Sequence, residues 1–188
     1  MKNSTSISHL AIAVIVTILS GLIYTTVQQS YRSGANDPQL QLAKDIAYAV
    51  KNDRSIDNLL PKDTIEISES LSPFVVLYDN NGEPIQSTGT LDGQFPKMPK
   101  GVFDFAKKNK EDVLSWQPRK GVRMAMVVES VQSSNIGFVA AGRSLQEVEK
   151  RESNLTSMVL IGWLVCIGII VLNGVIESLR KEKLNGQI

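Results

Sequence analysis

The sequence predicts an α+β protein: an antiparallel sheet with a long N-terminal helix, flanked by two transmembrane helices. Three observations carry that reading. Residues 10–27 (LAIAVIVTILSGLIYTTV) and 157–176 (SMVLIGWLVCIGIIVLNGVI) contain no charge. Between them, short β-rich runs alternate with Asn-, Gly- and Pro-containing turns, the pattern of antiparallel strands. Ahead of those strands, Leu42, Ile46 and Val50, with Ala43, Ala47 and Ala49, form an apolar stripe at helical spacing.

At 1.5 Å per residue the two uncharged runs are about 27 and about 30 Å long, matching a hydrocarbon core of roughly 30 Å. A secretory signal peptide is the alternative for the first run. No small-x-small site follows Tyr24, however, so an uncleaved anchor is expected. Lys2, Arg180, Lys181 and Lys183 against Glu177 and Glu182 place both ends in the cytoplasm. The resulting order is a cytoplasmic N-terminus (1–9), a span (10–27), an extracytoplasmic domain (28–156), a second span (157–176) and a cytoplasmic tail (177–188). The whole chain carries 20 Lys+Arg and 19 Asp+Glu, a net +1. The outer segment holds 16 Lys+Arg and 17 Asp+Glu, so its own balance is −1. That balance argues against a nucleic-acid partner; the lipid bilayer is the partner that the composition does imply. The outer segment has no Cys, which fits a bacterial or archaeal envelope better than a disulfide-forming lumen.

Within the outer segment, residues 28–36 (QQSYRSGAN) read as a polar joint. Asp37-Pro38 gives an N-cap and a first-turn proline, so a helix is expected from there to about Asn52. Ile65 and Ile67 alternate with charges as in a short strand. Residues 74–78 (FVVLY) and 84–88 (PIQST), joined by Asp79-Asn80-Asn81-Gly82, predict a hairpin. A calcium-loop reading of that turn fails, because the required first carboxylate falls on Leu77. Residues 89–101 are rich in Gly and Pro and read as an irregular loop. Val102, Phe103, Phe105 and Ala106 predict a short helix ending at Lys107, Lys108 and Lys110. Strands follow near 113–117, 122–131 and 136–142, with turns at 118–121 and 133–135. Ser144-Leu145-Gln146-Glu147 is a capping box, and nothing breaks the helix it opens before the second uncharged run.

The FVVLYDNNGEPIQSTG hairpin, the GVF helix start and GFVAAGRSLQEVEKRE together resemble the extracytoplasmic PAS-like (PDC, or single Cache) sensor domains of bacterial histidine kinases and chemoreceptors. The resemblance spans about residues 38–176. It implies a PAS-like antiparallel sheet and a sensing role. Such receptors carry a cytoplasmic output module after the second span, whereas about a dozen residues follow Ile176 here. Output is therefore expected from an unknown membrane protein partner, or through a homodimer. The rival expectation is a non-sensing accessory or scaffold subunit of a membrane complex.

An enzyme is not expected. His9 and Cys166 are the sole His and Cys, so Ser-His and Cys-His nucleophile systems and a zinc cluster are excluded from the outer segment. There is no phosphate-binding GxxxxGK[ST] loop, and nothing in the pattern asks for a cofactor or a metal. Binding has more support. Arg123 and Arg143 each interrupt an apolar strand beside small residues, a setting in which a guanidinium can hold a small anionic ligand bidentately. A strand-end ion pair is the plainer reading of both. Trp116 and Tyr78 are candidate pocket walls, or simply core. In the uncharged runs, Ala13, Thr17 and Gly21, and likewise Gly162 and Cys166, form small-xxx-small faces that allow close helix approach.

Overall fold

A computed structural model describes residues 2–133 and 135–185; the side chains of residues 2–6, 35, 36, 184 and 185 lie outside the described set. Ser134, within the turn expected at 133–135, also lies outside it. The chain divides into two units, Met1–Tyr31 with Lys150–Ile188, and Arg32–Glu149.

The second unit is built on a sheet. Helix α1 (Lys2–Lys51) supplies its N-terminal layer. Then come β1 (Ile65–Glu66), β2 (Phe74–Tyr78), β3 (Pro84–Ser87), β4 (Gly89–Thr90), helix α2 (Lys100–Asn109), β5 (Glu111–Arg119), β6 (Val122–Ser130), β7 (Phe138–Ser144) and helix α3 (Gln146–Asn185). The main sheet has the order β3-β2-β7-β6-β5 and every pairing in it is antiparallel. Counting its strands along the chain, this is 2-1-5-4-3, the order of a PAS-like sheet. The last strand thus lies between the first and the fourth, and the N-terminal helix packs on one face.

The two faces have separate cores. On one, Val75, Leu77, Val127, Val139 and Ala141 meet Ala43, Ile46, Ala47 and Val50 of α1. On the other, Phe74, Val76, Tyr78, Trp116, Met124, Met126, Val128, Phe138 and Ala140 are covered by Phe103 and Ala106 of α2 and by Met98 of the preceding loop. Strand alternation makes this division: β6 sends Met124, Met126 and Val128 one way and Val127 the other.

Several local expectations are revised. The sequence places a joint at 28–36 and a helix start at Asp37-Pro38, whereas α1 runs through both, with Pro38 inside it. Proline fixes φ near the helical value, so its cost is mainly one missing hydrogen bond and local crowding. Gly34 is the only other breaker in that stretch. The loop expected at 89–101 begins as a strand: β4 pairs in parallel with β1, Ile65 opposite Gly89 and Glu66 opposite Thr90. A Cβ on Gly89 would stand 2.7 Å from Ile67 Cγ2 and 2.9 Å from Phe74 Cβ, so this close approach depends on a bare glycine. β5 runs on through Pro118, because it is an edge strand and its register shifts between Trp116 and Arg119.

Asp79 organises the β2–β3 turn. Its Oδ1 accepts the N–H groups of Asn81 and Glu83, both at 2.8 Å. Those bonds, the one from Glu83 foremost, hold its carboxyl below its ordinary value. Gly82 takes φ +85° there and lies against Phe103, whose Cδ2 would be 2.7 Å from an added Cβ. At the start of α3, Ser144 Oγ accepts from the N–H of Gln146 at 3.3 Å.

In the first unit, α1 and α3 both contain windows long and apolar enough to cross a membrane, and none of either window is buried. Leu10 is 66% exposed and Ile161 61%. The two helices nevertheless touch: Trp163 Nε1 donates to Thr17 Oγ1 at 2.9 Å.

Candidate functional site

Arg123 and Arg143 lie on the α1 face of the sheet. Arg123 alternates with Met124 and shares the side of Val127, and Arg143 shares that of Ala141. The register sets Arg143 directly across from Ala125, and Leu145 bonds back to the Arg123 carbonyl. The two arginines are therefore diagonal neighbours at one end of β6 and β7, with alanine between them. Each guanidinium is engaged. Arg123 Nη1 lies 2.6 Å from Glu149 Oε1 in the first turns of α3. Arg143 Nε donates to the Leu71 carbonyl at 3.1 Å.

Tyr78 and Trp116 are on the opposite face. Tyr78 is wholly buried, its ring 4.8 Å from that of Phe103, which lies 4.9 Å from that of Phe138. Its hydroxyl donates to the Pro96 carbonyl at 2.8 Å, and burial pushes the phenol well above its ordinary value. The sheet thus separates the four candidate residues into two pairs. Of the two readings of Tyr78 and Trp116, pocket wall or core, their burial in the α2-side core fits the second, and by strand alternation they do not share a face with the arginines. Within one strand that alternation is legible; which helix covers which face is not.

The α2 face carries a cleft that sequence reasoning missed. It has a volume of about 720 Å³ and lies between the loop 91–99 and the end of β5, lined by the buried Pro96, Met98 and Trp116 and the exposed Gln94, Phe95 and Gln117. Its charged neighbours are paired: Arg119 with Asp92 at 2.7 Å and Lys97 with Glu83 at 2.7 Å. The cleft lies beside the stretch of β5 where the register shifts, between Trp116 and Arg119. The available signal was Phe95 and Met98 within a Gly/Pro-rich stretch. Among the described residues no three His, Cys, Asp or Glu side chains converge as metal ligands.

In the apolar helices, Thr17 bonds to the Ala13 carbonyl at 2.8 Å while receiving Trp163. Gly21 and Gly162 each face open space, and Cys166 is exposed. The partner that Thr17 finds is an indole on α3, a residue that the small-xxx-small pattern does not single out.

No family model matches the chain, and no curated protein matches it. Among solved structures, the chain is similar to the ligand-binding domain of the Pseudomonas aeruginosa PAO1 amino acid chemoreceptor PctC, described in complex with GABA. Identity is 14%, the TM-score is 0.41 and 72% of this chain is covered. The chain spans 62% of the length of that structure.

Proposed function

We propose that the chain is a two-span membrane sensor whose outer PAS-like domain binds a small anion and signals through a partner. The observation that carries this reading is the pair of uncharged helical segments with no buried share, one before and one after an independently cored sheet. In water such surfaces are untenable, since each fully exposed large apolar side chain forgoes about 1.5–3 kcal/mol of burial. In a bilayer they are the expected surface. The proposed boundaries are spans at 10–27 and 157–176 and an outer domain at 28–156, with the Lys2 and Arg180–Lys183 ends cytoplasmic.

The anion site is the Arg123–Arg143 corner. There the Glu149 carboxylate, 2.6 Å from Arg123, occupies the position that an external carboxylate or phosphate would contest. Binding exchanges an internal carboxylate for an external one and releases Glu149, hence the first turns of α3. A ligand moves that equilibrium only by its differential affinity for the two states. Tyr78 and Trp116 then serve as framework for the far face.

The test is thermal unfolding of the full chain in detergent micelles with a panel of small carboxylates and inorganic phosphate. A stabilising ligand raises the unfolding temperature, at a hundred times its Kd by an amount equivalent to about 2.7 kcal/mol. Arg123→Ala abolishes the shift. No shift with any anion, or an unchanged shift in Arg123→Ala, overturns the assignment.

A second reading, an accessory subunit that docks another protein, is favoured by the filled aromatic core and by the open cleft beside Trp116. Co-purification of a membrane complex that is lost on Phe95→Asp, without any anion response, selects it.

A further inference from the structure

The α1 face holds a second cluster of charged groups, away from the arginine corner. The β5–β6 register sets Glu111 directly opposite Glu129. Glu129 is in phase with Val127 and Val131, so both carboxylates point to the side on which Ala43, Ile46, Ala47 and Val50 of α1 pack. Like charges directly opposed across a sheet repel, and Glu129, 7% exposed, has little water to screen it. Two lysines of α1 act on the pair. Lys44 Nζ is 3.1 Å from Glu111 Oε2, and Lys51 acts on Glu129 from the last turn. From β7, the residue opposite Glu129 is the uncharged Val139. Burial first, then the Glu111 carboxylate within hydrogen-bonding reach, raises the Glu129 carboxyl above its ordinary value; the two lysines oppose this.

We propose that Glu111 and Glu129 form a proton-operated latch that fastens α1 to the sheet. In the closed form one proton is shared: the Glu129 carboxyl donates to Glu111, which keeps its charge and its pairing with Lys44. On opening, that proton passes to solvent and two carboxylates face each other beneath the helix. Their repulsion, and the pull of a buried charge towards water, loosens residues 43–51 from β5 and β6. The sign follows from linkage. A carboxyl with a raised folded value binds its proton more tightly in the docked state, so docking is strongest at low pH. It weakens as pH rises through that folded value and is constant above it. The latch is independent of the anion site, and its failure would leave the anion experiment untouched.

Hydrogen exchange on the full chain in detergent micelles tests it, at about pH 5 and about pH 8, with intrinsic rates divided out. The expected result is protection over residues 39–51 that falls severalfold at the higher pH, in the direction set by the raised Glu129 carboxyl. Residues 91–99 should not follow. Glu129→Gln removes the pH difference and keeps the stretch protected at both values. Lys44→Met moves the loosening to higher pH, because it withdraws a positive charge that favours ionisation; loss of a merely structural contact would not shift the midpoint. Equal protection in the wild type at both pH values, or a pH difference that persists in Glu129→Gln, overturns the proposal. If Glu129→Gln does not fold, Glu111→Gln decides: it withdraws the opposing carboxylate and leaves Glu129 buried, so the loosening moves to lower pH, and an unmoved midpoint overturns the proposal.

Discussion

The two faces of the sheet solve one packing problem with different materials. The α1 face is aliphatic and small, Ala43, Ala47 and Ala141 among Val and Ile, so a long helix can lie close against it. The α2 face is covered by a ten-residue helix and an irregular loop, which leave more space to fill, and Phe74, Tyr78, Phe103, Trp116, Phe138 and three methionines fill it. The first face also holds the arginine corner and the Glu111–Glu129 pair at its margins; the second holds the cleft. A close-fitting helix leaves little slack, so small changes of charge beneath it act on its docking. A loosely covered face takes such changes up in side-chain rearrangement.

That contrast can be broken most strongly at Phe103, which touches both Tyr78 and Phe138. Phe103→Ala should cost about 3–5 kcal/mol of unfolding free energy, measured by urea titration in micelles, the range for deleting a large buried aromatic ring. The reverse insult distinguishes the faces. Ala47→Leu, at a position of α1 that is 3% exposed and faces the sheet, should cost about 1–3 kcal/mol through overpacking. Met98→Leu, on the loop side, should cost less than about 1.5 kcal/mol. Equal losses at both sites would dissolve the distinction.

Smaller effects sharpen the account of the α2 cover. Lys110 ends α2 at φ 75°, in the left-handed region that glycine occupies freely. Lys110→Gly should raise the unfolding temperature, a gain of about 0.5–1 kcal/mol. Asp79, half-buried in the turn against which Phe103 lies, gives the mildest change. Its folded value is depressed, so its contribution is present above its unfolded value and is lost as pH falls through the folded one. Asp79→Asn keeps the Oδ1 acceptor and should lose this acid dependence, the two proteins converging in stability at low pH.

Much of the fold was legible in residues taken locally. FVVLY and its DNNG turn identify β2 and the hairpin, because alternation and turn chemistry act within a few residues. The helical stripe of Ala43, Ile46 and Val50 names the inner face of α1, and the absence of a breaker after Ser144 foretells the long α3. The candidate site was less legible. Arg123 and Arg143 were visible as interruptions of apolar strands, but Glu149 as the partner of Arg123 was not, since that contact depends on where α3 begins relative to β6.

By itself, then, the sequence determined the periodic elements, the two uncharged helical segments and the balance of charge, all of which are properties of short windows. Only the tertiary structure decided the rest. It carried α1 through Pro38, paired β4 with β1 in parallel, divided the four candidate residues between two faces and set Glu129 against Glu111 beneath Lys44. The last three depend on strand order and register, which arise when segments distant in sequence bury their apolar faces together; no local pattern encodes which carboxylate will find another across the ladder.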